Sequence, residues 1–227
     1  MALVFGLALS VQAQSFQNLC FEQASPVVIA GNSYYPDAIT PASAFPEWTA
    51  LIGGVPVTQV FYNDISLDAA SVDLLSKATP YFPGVIGGNY SVYLQPGTSI
   101  DGTGEYTASI EQTGTIPLGT KTLFFDGFQF PGALPFMVTF NGDYLPTTVV
   151  STGIAPTGQS YDVYGANLSY FAGETGNLEF TVYPGHYNSL LLDNISFSPA
   201  SLTPEPSVLI LFGAGALLLL LRRETQR

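Results

Sequence analysis

The chain has 227 residues, with 17 acidic and 5 basic side chains and a formal net charge of −12. Between residues 14 and 203 the only basic side chains are Lys77 and Lys121. Such a region repels polyanions and lacks the spaced Arg and Lys of phosphate contacts, so nucleic acid is excluded as a partner. A single cysteine excludes an intrachain disulfide, and one histidine with one cysteine cannot build a zinc site from those ligands.

The first 13 residues are predicted to be a signal peptide. Residues 2–9 form a short apolar core, and the following Ser-Val-Gln-Ala places small side chains where a signal peptidase cuts. Cleavage is predicted after Ala13, which implies export through the Sec translocon. No Lys or Arg precedes the apolar stretch, and the alternative is that these residues form a buried N-terminal strand.

Residues 14–198 are predicted to form one all-β domain, a β-sandwich. Short runs rich in β-branched and aromatic residues alternate with clusters of Gly, Pro, Asn and Asp, as strands and turns do. Predicted strands cover residues 16–21, 27–30, 57–62, 90–94, 106–112, 121–125, 136–141, 161–164, 178–183 and 190–197. Residues 31–56 are predicted as a loop, and residues 64–76 as one or two helical turns.

The C-terminal residues carry the most distinctive pattern of the chain. In order, they are a linker at 199–203, the motif Pro204-Glu205-Pro206, an apolar run at 207–221, and the pair Arg222 and Arg223. Pro206 suits the first turn of a helix, and arginines favour the cytoplasmic side of a membrane, so the run predicts a single transmembrane helix. Its 15 residues rise only about 22 Å, less than the roughly 30 Å hydrocarbon core, which makes it marginal as a permanent anchor.

These parts, in this order, resemble the tail of the PEP-CTERM protein-sorting family of Gram-negative bacteria. The resemblance implies that residues 204–227 are a sorting signal, and that the Pro-Glu-Pro motif and the two arginines are its characteristic residues. It implies transient insertion in the inner membrane, recognition by an exosortase-type processing enzyme, and delivery to the cell surface or an extracellular polysaccharide matrix. The alternative is an ordinary tail anchor that stays in the membrane.

A second resemblance covers most of residues 16–198. It rests on Asn18-Leu19-Cys20-Phe21-Glu22, Trp48-Thr49, residues 168–174 and the closing stretch 191–197. These stretches resemble galactose-binding-like jelly rolls, which often open with Phe-Glu and close with an Asp-containing strand. The resemblance implies a jelly-roll type antiparallel β-sandwich in which the first and last strands are neighbours.

The same resemblance implies a structural Ca²⁺ shared by the first and last strands. Carried over to this sequence, its candidate ligands are Glu22 and Asp193. Calcium takes six to eight oxygen ligands, which residues distant in sequence can supply together. Two carboxylates alone do not make a site, and the alternative is that Glu22 caps a turn and Asp193 ends a strand in solvent.

Loop aromatic residues are the candidates for glycan binding, because a sugar ring stacks its apolar face on an aromatic side chain. The candidates are Tyr34, Tyr35, Trp48, Tyr81 and Phe82. Against this, the Trp of similar modules is usually a core residue, and tyrosines of a sandwich mostly pack at strand ends. Scattered exposed aromatic residues are also ordinary.

The sequence favours a protein without catalytic residues. A Ser-His-Asp triad would have to use His186, yet no Gly-x-Ser-x-Gly elbow occurs. Paired carboxylates for glycoside hydrolysis stay open, because acidic residues are plentiful and none stands in a distinctive motif. We therefore predict an exported structural or exopolysaccharide-associated surface protein, with a specific glycan-binding module and a glycoside hydrolase-like enzyme as alternatives.

Overall fold

The computed structural model describes residues 14–32, 35–65, 69–80, 82, 84–98, 104–185 and 187–202. The predicted signal peptide and the predicted sorting signal at 204–227 lie outside these residues, as do Tyr34, Tyr81 and His186. Within the described ranges, no helix is both long and apolar enough to cross a membrane.

Strands are the dominant secondary structure of the described residues, which confirms the predicted all-β class. The only helices among them are α1 (Pro41–Ala44) and a 3-10 turn at Ser169–Phe171. The strands, in chain order, are β1 (Ala38–Ile39), β2 (Thr49–Ile52), β3 (Val55–Pro56), β4 (Val60–Tyr62), β5 (Ser71–Ser76), β6 (Tyr90–Gln95), β7 (Gly97–Thr98), β8 (Glu105–Tyr106), β9 (Ala108–Thr115), β10 (Thr122–Phe128), β11 (Met137–Phe140), β12 (Asp143–Tyr144), β13 (Thr147–Ile154), β14 (Ser160–Asn167), β15 (Thr175–Val182) and β16 (Leu190–Ser198).

Two large sheets form a sandwich-like arrangement. One has eight strands in the order β1-β4-β5-β6-β16-β10-β14-β13, and the other has six in the order β12-β11-β15-β9-β2-β3. Strands β7 and β8 make a separate two-stranded ribbon. Neighbouring strands are antiparallel except β4 and β5, which pair in parallel with Phe61 opposite Asp73.

The main core lies between the two sheets. Strand β10 of the eight-stranded sheet turns Leu123 and Phe125 inward, where both are fully buried. The ring of Phe125 meets that of Phe180, on β15 of the six-stranded sheet, edge to face at 5.1 Å. Alternation along the strands places one set of side chains in this core, as a period of two requires.

Strand β5 replaces the helical turns predicted over 64–76, and that prediction is wrong for residues 71–76. Val72 and Leu74 enter the core between the sheets, whereas Leu75 packs in a second, smaller apolar cluster on the other face of the eight-stranded sheet. Every residue of β5 is buried because both faces are covered. A strand buried on both faces loses the alternating pattern, and its apolar run imitates a helix.

The N-terminal segment and one edge also differ from prediction. Residues 16–21 and 27–30 are not strands: an isolated bridge at Ser15 precedes the first range, and the second contains only an isolated bridge at Val28. The amide of Ile195 on β16 nevertheless donates to the carbonyl of Leu19 at 2.9 Å, which joins the start of the domain to its last strand. Strand β2 lies within the predicted loop 31–56, and strand β13 was missed altogether.

Candidate functional site

The segment 77–89, which connects β5 to β6, covers part of the outer face of the eight-stranded sheet. Its residues Val85 and Ile86 are 2 % and 3 % exposed. They pack with Leu75, Phe128 and Leu191 in the second apolar cluster. Residues 84–86 are therefore packed against the sheet, and we call the described residues of 77–89 the covering loop.

Asp193 ties the end of the covering loop to strand β16. Its Oδ2 accepts hydrogen bonds from the amide of Gly87 at 3.1 Å and from Ser91 Oγ at 2.8 Å. Its Oδ1 accepts from the amide of Asn194 at 2.7 Å. The carboxyl is 1 % exposed, so these donors replace the water that it loses on folding.

Glu22 holds the same end of the loop from the N-terminal segment. Its Oε1 accepts from the amides of Asn89 at 2.5 Å and Tyr90 at 3.2 Å, and its Oε2 accepts from Asn89 Nδ2 at 2.6 Å. Gly88 has φ +51°, and a Cβ there would collide with the Glu22 carboxylate. The two carboxylates predicted to share a metal thus accept hydrogen bonds from backbone and side-chain donors of one short stretch of chain, residues 87–91.

A β-bulge brings a third carboxyl beside Asp193. Strands β10 and β16 shift register between Phe124 and Asp126, and Asp126 then lies directly opposite Asp193. Asn194, with φ +50°, donates from Nδ2 to Asp126 Oδ2 at 2.9 Å. Burial raises the pKa of Asp193 to about 7, although hydrogen bonds from Ser91, Asn194 and Gly87 act to lower it. Burial also raises the pKa of Asp126, against the hydrogen bond from Asn194.

A fourth carboxyl, Asp73, is buried on the same outer face of β5. Its Oδ2 accepts from Ser71 Oγ at 2.9 Å, and no group among the described residues hydrogen-bonds its Oδ1. Burial raises the pKa of Asp73 well above its usual range, while the hydrogen bond from Ser71 acts in the other direction. A desolvated carboxyl of this kind holds its proton to higher pH because the charged form cannot be solvated.

A groove of about 400 Å³ lies between the covering loop and the turn that joins β13 to β14. It is lined by Ser76, Lys77, Thr79, Pro80, Phe82, Gly84, Val85, Pro156 and Thr157. The loop and the turn approach closely, since a Cβ on Gly84 would meet Thr157 Cγ2 at 2.9 Å.

Phe82 is the exposed aromatic residue of this groove. Its ring is 54 % exposed, and it packs edge to face on Phe128 at 5.6 Å and tilted on Phe130 at 5.9 Å. One side of the ring is therefore held by protein and the other is open to solvent. Lys77, exposed beside it, is one of the two lysines of the domain.

The other predicted glycan-binding residues lie elsewhere. Trp48 is 5 % exposed, packs on Phe21 and Phe180, and donates from Nε1 to the carbonyls of Gln17 and Asn18 at 3.2 Å. Its ring is not open for stacking on a sugar, which corrects the prediction for this residue. Tyr35 is half-buried, with its ring against Phe61 at 5.1 Å.

Sequence reasoning did not single out Asp126, Asp73 or Lys77. Asp73 lies in the stretch predicted as helical turns and Asp126 directly follows a predicted strand. Their burial depends on the covering loop, which carries no local signal for its position. Within the described ranges, no three His, Cys, Asp or Glu side chains come together as a metal-binding group.

Comparison with known proteins yields one distant structural similarity. No protein-family model matches the chain, and no curated protein matches it. One solved structure, an arabinose-bound MgGH51 α-L-arabinofuranosidase, aligns over 79 % of this chain and 26 % of its own, with 15 % sequence identity and a TM-score of 0.29. The chain thus spans about a quarter of that enzyme's length.

The raised pKa of Asp193 predicts that the domain loses stability as pH rises. Its folded-state pKa of about 7 exceeds the ordinary aspartate pKa of 3.8, so between these values the folded protein binds more protons than the unfolded chain. The free energy of unfolding should fall as pH rises from about 4 to about 7, by up to about 4 kcal/mol from this group. Urea unfolding at pH 4 and pH 8, in EGTA, measures the difference.

The variant Asp193→Asn should reduce this pH dependence, because the amide does not titrate. Asp73 and Asp126 would keep the remainder, since their pKa values are raised in the same direction. Asp143→Asn, which removes the same charge from an exposed strand, serves as the control and should leave the dependence as it is. Equal pH dependence in the Asp193 and control variants would contradict the assignment.

The predicted calcium site has its own test, because a cation that binds only the folded protein stabilises it. EGTA should lower the melting temperature of the calcium-loaded protein, and added Ca²⁺ should restore it. Glu22→Gln should make the melting temperature insensitive to EGTA, whereas Glu105→Gln, at an exposed position, should not. If EGTA leaves the wild-type melting temperature unchanged, the prediction of a stabilising Ca²⁺ is wrong.

Proposed function

We propose that this chain is an exported, non-enzymatic jelly-roll sandwich that associates with extracellular polysaccharide at the cell surface or in the matrix. The C-terminal signal delivers it, with an exosortase-type enzyme as its processing partner. The observation that carries the proposal of glycan contact is the groove of about 400 Å³ beside Phe82, an exposed ring that packs against Phe128 and Phe130.

The chemistry of the groove suits a saccharide. The open side of the Phe82 ring offers an apolar surface for the C–H face of a sugar, and two neighbouring rings fix its position. The Lys77 ammonium lies along the same groove and can donate to sugar hydroxyls or to a uronate carboxylate. A ring that is already held by protein loses little side-chain entropy on binding.

The buried carboxylates support a scaffold role rather than glycoside hydrolysis. Asp126 and Asp193 lie opposite each other across two strands, and the raised pKa of Asp193 is a property of catalytic acids as well. Asp193, however, is 1 % exposed, and amide and hydroxyl donors occupy both of its oxygens. A polymer would have to displace the covering loop to reach it.

Polysaccharide binding by the purified protein tests glycan contact. We expect saturable retention on at least one of a panel of neutral glucans, galactans and uronic-acid polymers. Phe82→Ala should weaken binding about ten-fold or more, because the stacking surface is lost. Tyr170→Ala is the matched control, since Tyr170 is an aromatic residue 87 % exposed outside the groove, and it should bind as the wild type does.

Two results would count against this part of the proposal. If the Phe82 and Tyr170 variants bind equally well, the groove is not the binding site. If the protein binds no polymer, only the structural role in the matrix is left. Release of reducing ends that stops in Asp193→Asn would establish a hydrolase instead.

Delivery is tested by replacing Pro204, Glu205 and Pro206 with alanine. Cells expressing each form are fractionated, and the intact mass of the protein is measured in inner membrane, outer envelope and medium. We expect the native protein to lose the residues after about Pro204 and the variant to keep them in the inner membrane. If both proteins retain the tail and stay there, the segment is a plain membrane anchor.

A further inference from the structure

The chain leaves the described domain at one end of the sandwich. After β16, the carbonyl of Ala200 accepts a hydrogen bond from Thr122 Oγ1 at 2.7 Å. The side chain of Leu202 then lies over Gly165, where a Cβ would collide with it. Five residue steps separate Leu202 from Ser207, the first residue of the apolar run, and they span at most about 18 Å. Whatever holds the apolar run therefore lies close to this end of the domain.

Two loops at this end are hydrogen-bonded to each other and to the departing chain. The amide of Lys121 donates to the carbonyl of Ser198, and the carbonyl of Lys121 accepts from the amide of Leu168, both at 2.8 Å. The amide of Gly173 donates to the carbonyl of Ile116 at 2.9 Å. We define the exit face as residues 116–121, 168–174 and 198–202.

The first loop holds an apolar side chain out in solvent. Residues 117–120 form a turn, in which the amide of Thr120 donates to the carbonyl of Pro117 at 3.2 Å. Gly119, at the third position, has φ +81°, a conformation that favours glycine there. Leu118, at the second position, is 88 % exposed. A leucine thus occupies the tip of a turn, where small and polar residues are usual.

The second loop holds an aromatic side chain out in the same way. Leu168 is fully buried, and Phe171 packs against the core between the sheets. Tyr170 lies between these two anchors and is 87 % exposed. Among the described residues, Leu118 and Tyr170 are the most exposed large apolar or aromatic side chains. Both belong to the exit face, as does the exposed Lys121, one of the two lysines of the domain.

We propose that the exit face is a membrane-contacting surface, which rests on the phospholipid headgroups of a bilayer while the apolar run is inserted. The inference rests on the proposed function, because it requires residues 207–221 to enter the membrane. A helix that starts at Ser207 keeps Leu202 within about 18 Å of the hydrocarbon core, and headgroups fill roughly 5–8 Å of that distance. Leucine and tyrosine are side chains that this interface takes up, so Leu118 and Tyr170 suit the contact.

Charge explains why this contact needs the tether. The chain carries a net charge of −12, so an anionic bilayer repels the domain in free solution. On the exit face, Lys121 and Glu174 are both exposed and of opposite sign, so the attraction comes from Leu118 and Tyr170. A short tether raises the effective concentration of the domain at the bilayer, and two side chains are then enough. Cleavage of the tail should release the domain from the membrane.

Quenching of a fluorescent label by spin-labelled lipids tests the contact. Single cysteines replace Ser169 or Ser160 in a full-length Cys20→Ser background, because Cys20 is exposed and would also be labelled. Both serines are exposed, and Ser169 lies just beyond the end of β14 whereas Ser160 starts this strand, about 23 Å away. The labelled chain is reconstituted by its tail into vesicles of phosphatidylcholine and phosphatidylglycerol. We expect the label at Ser169 to lose most of its fluorescence and the label at Ser160 to keep it.

Variants of the inserted side chains test which residues make the contact. Leu118→Ser combined with Tyr170→Ser should remove the quenching at Ser169, because no apolar group would then enter the headgroup layer. Val55→Ser is the control, since Val55 is 66 % exposed outside the exit face, and it should leave the quenching unchanged. Equal melting temperatures would show that all variants are folded.

A label at Ala214→Cys, within the apolar run, separates this inference from the proposed function. Quenching at Ala214 without quenching at Ser169 would show that the tail inserts and that the exit face does not touch lipid, which overturns the inference alone. No quenching at Ala214 would overturn both the inference and the membrane step of the proposed function. Equal quenching at Ser169 and Ser160, or quenching at Ser169 that persists in the double variant, would show that the exit face is not the contacting surface.

Discussion

The outer face of the eight-stranded sheet depends on the hydrogen bonds that the buried Asp193 carboxyl accepts. A carboxyl removed from water must find donors within the protein, and Asp193 finds them in Gly87, Ser91 and its own neighbour Asn194. These bonds join the last strand of the sheet to the loop that covers it. Glu22 repeats the arrangement from the N-terminal segment, so two distant parts of the chain hold one short stretch of backbone.

This anchoring holds the C-terminal end of the covering loop against the sheet. Loops usually carry binding residues, and a scaffold must position them. Here Val85 and Ile86 are buried in the second apolar cluster, and the carboxylates hold the residues that follow. Phe82 lies a few residues before these anchors with its ring against Phe128 and Phe130. The groove is thus built on the outer face of the sheet, away from the core between the sheets.

The charge distribution links this surface to the free edge of the same sheet. Acidic residues are spread over the domain, and the chain compensates them with few basic side chains. Lys77 places a positive charge in the lining of the groove, whereas strand β13, at the edge of the sheet, carries no charge. The turn that carries Thr157 follows β13 and lines the groove, so the groove and this edge strand lie on adjoining parts of one sheet.

By itself, the sequence determined the all-β class and seven strands from β6 onward in approximate position, because alternation and turn residues are local signals. The sequence did not predict strand β5, because both of its faces are covered, and it did not predict strand β13, because most of its side chains lie in solvent. Only the tertiary structure decided that Trp48 is a core residue, that Glu22 and Asp193 hold one loop, and that Asp126 lies beside Asp193. These relations depend on sheet order, register and a bulge, which join residues that no local pattern connects.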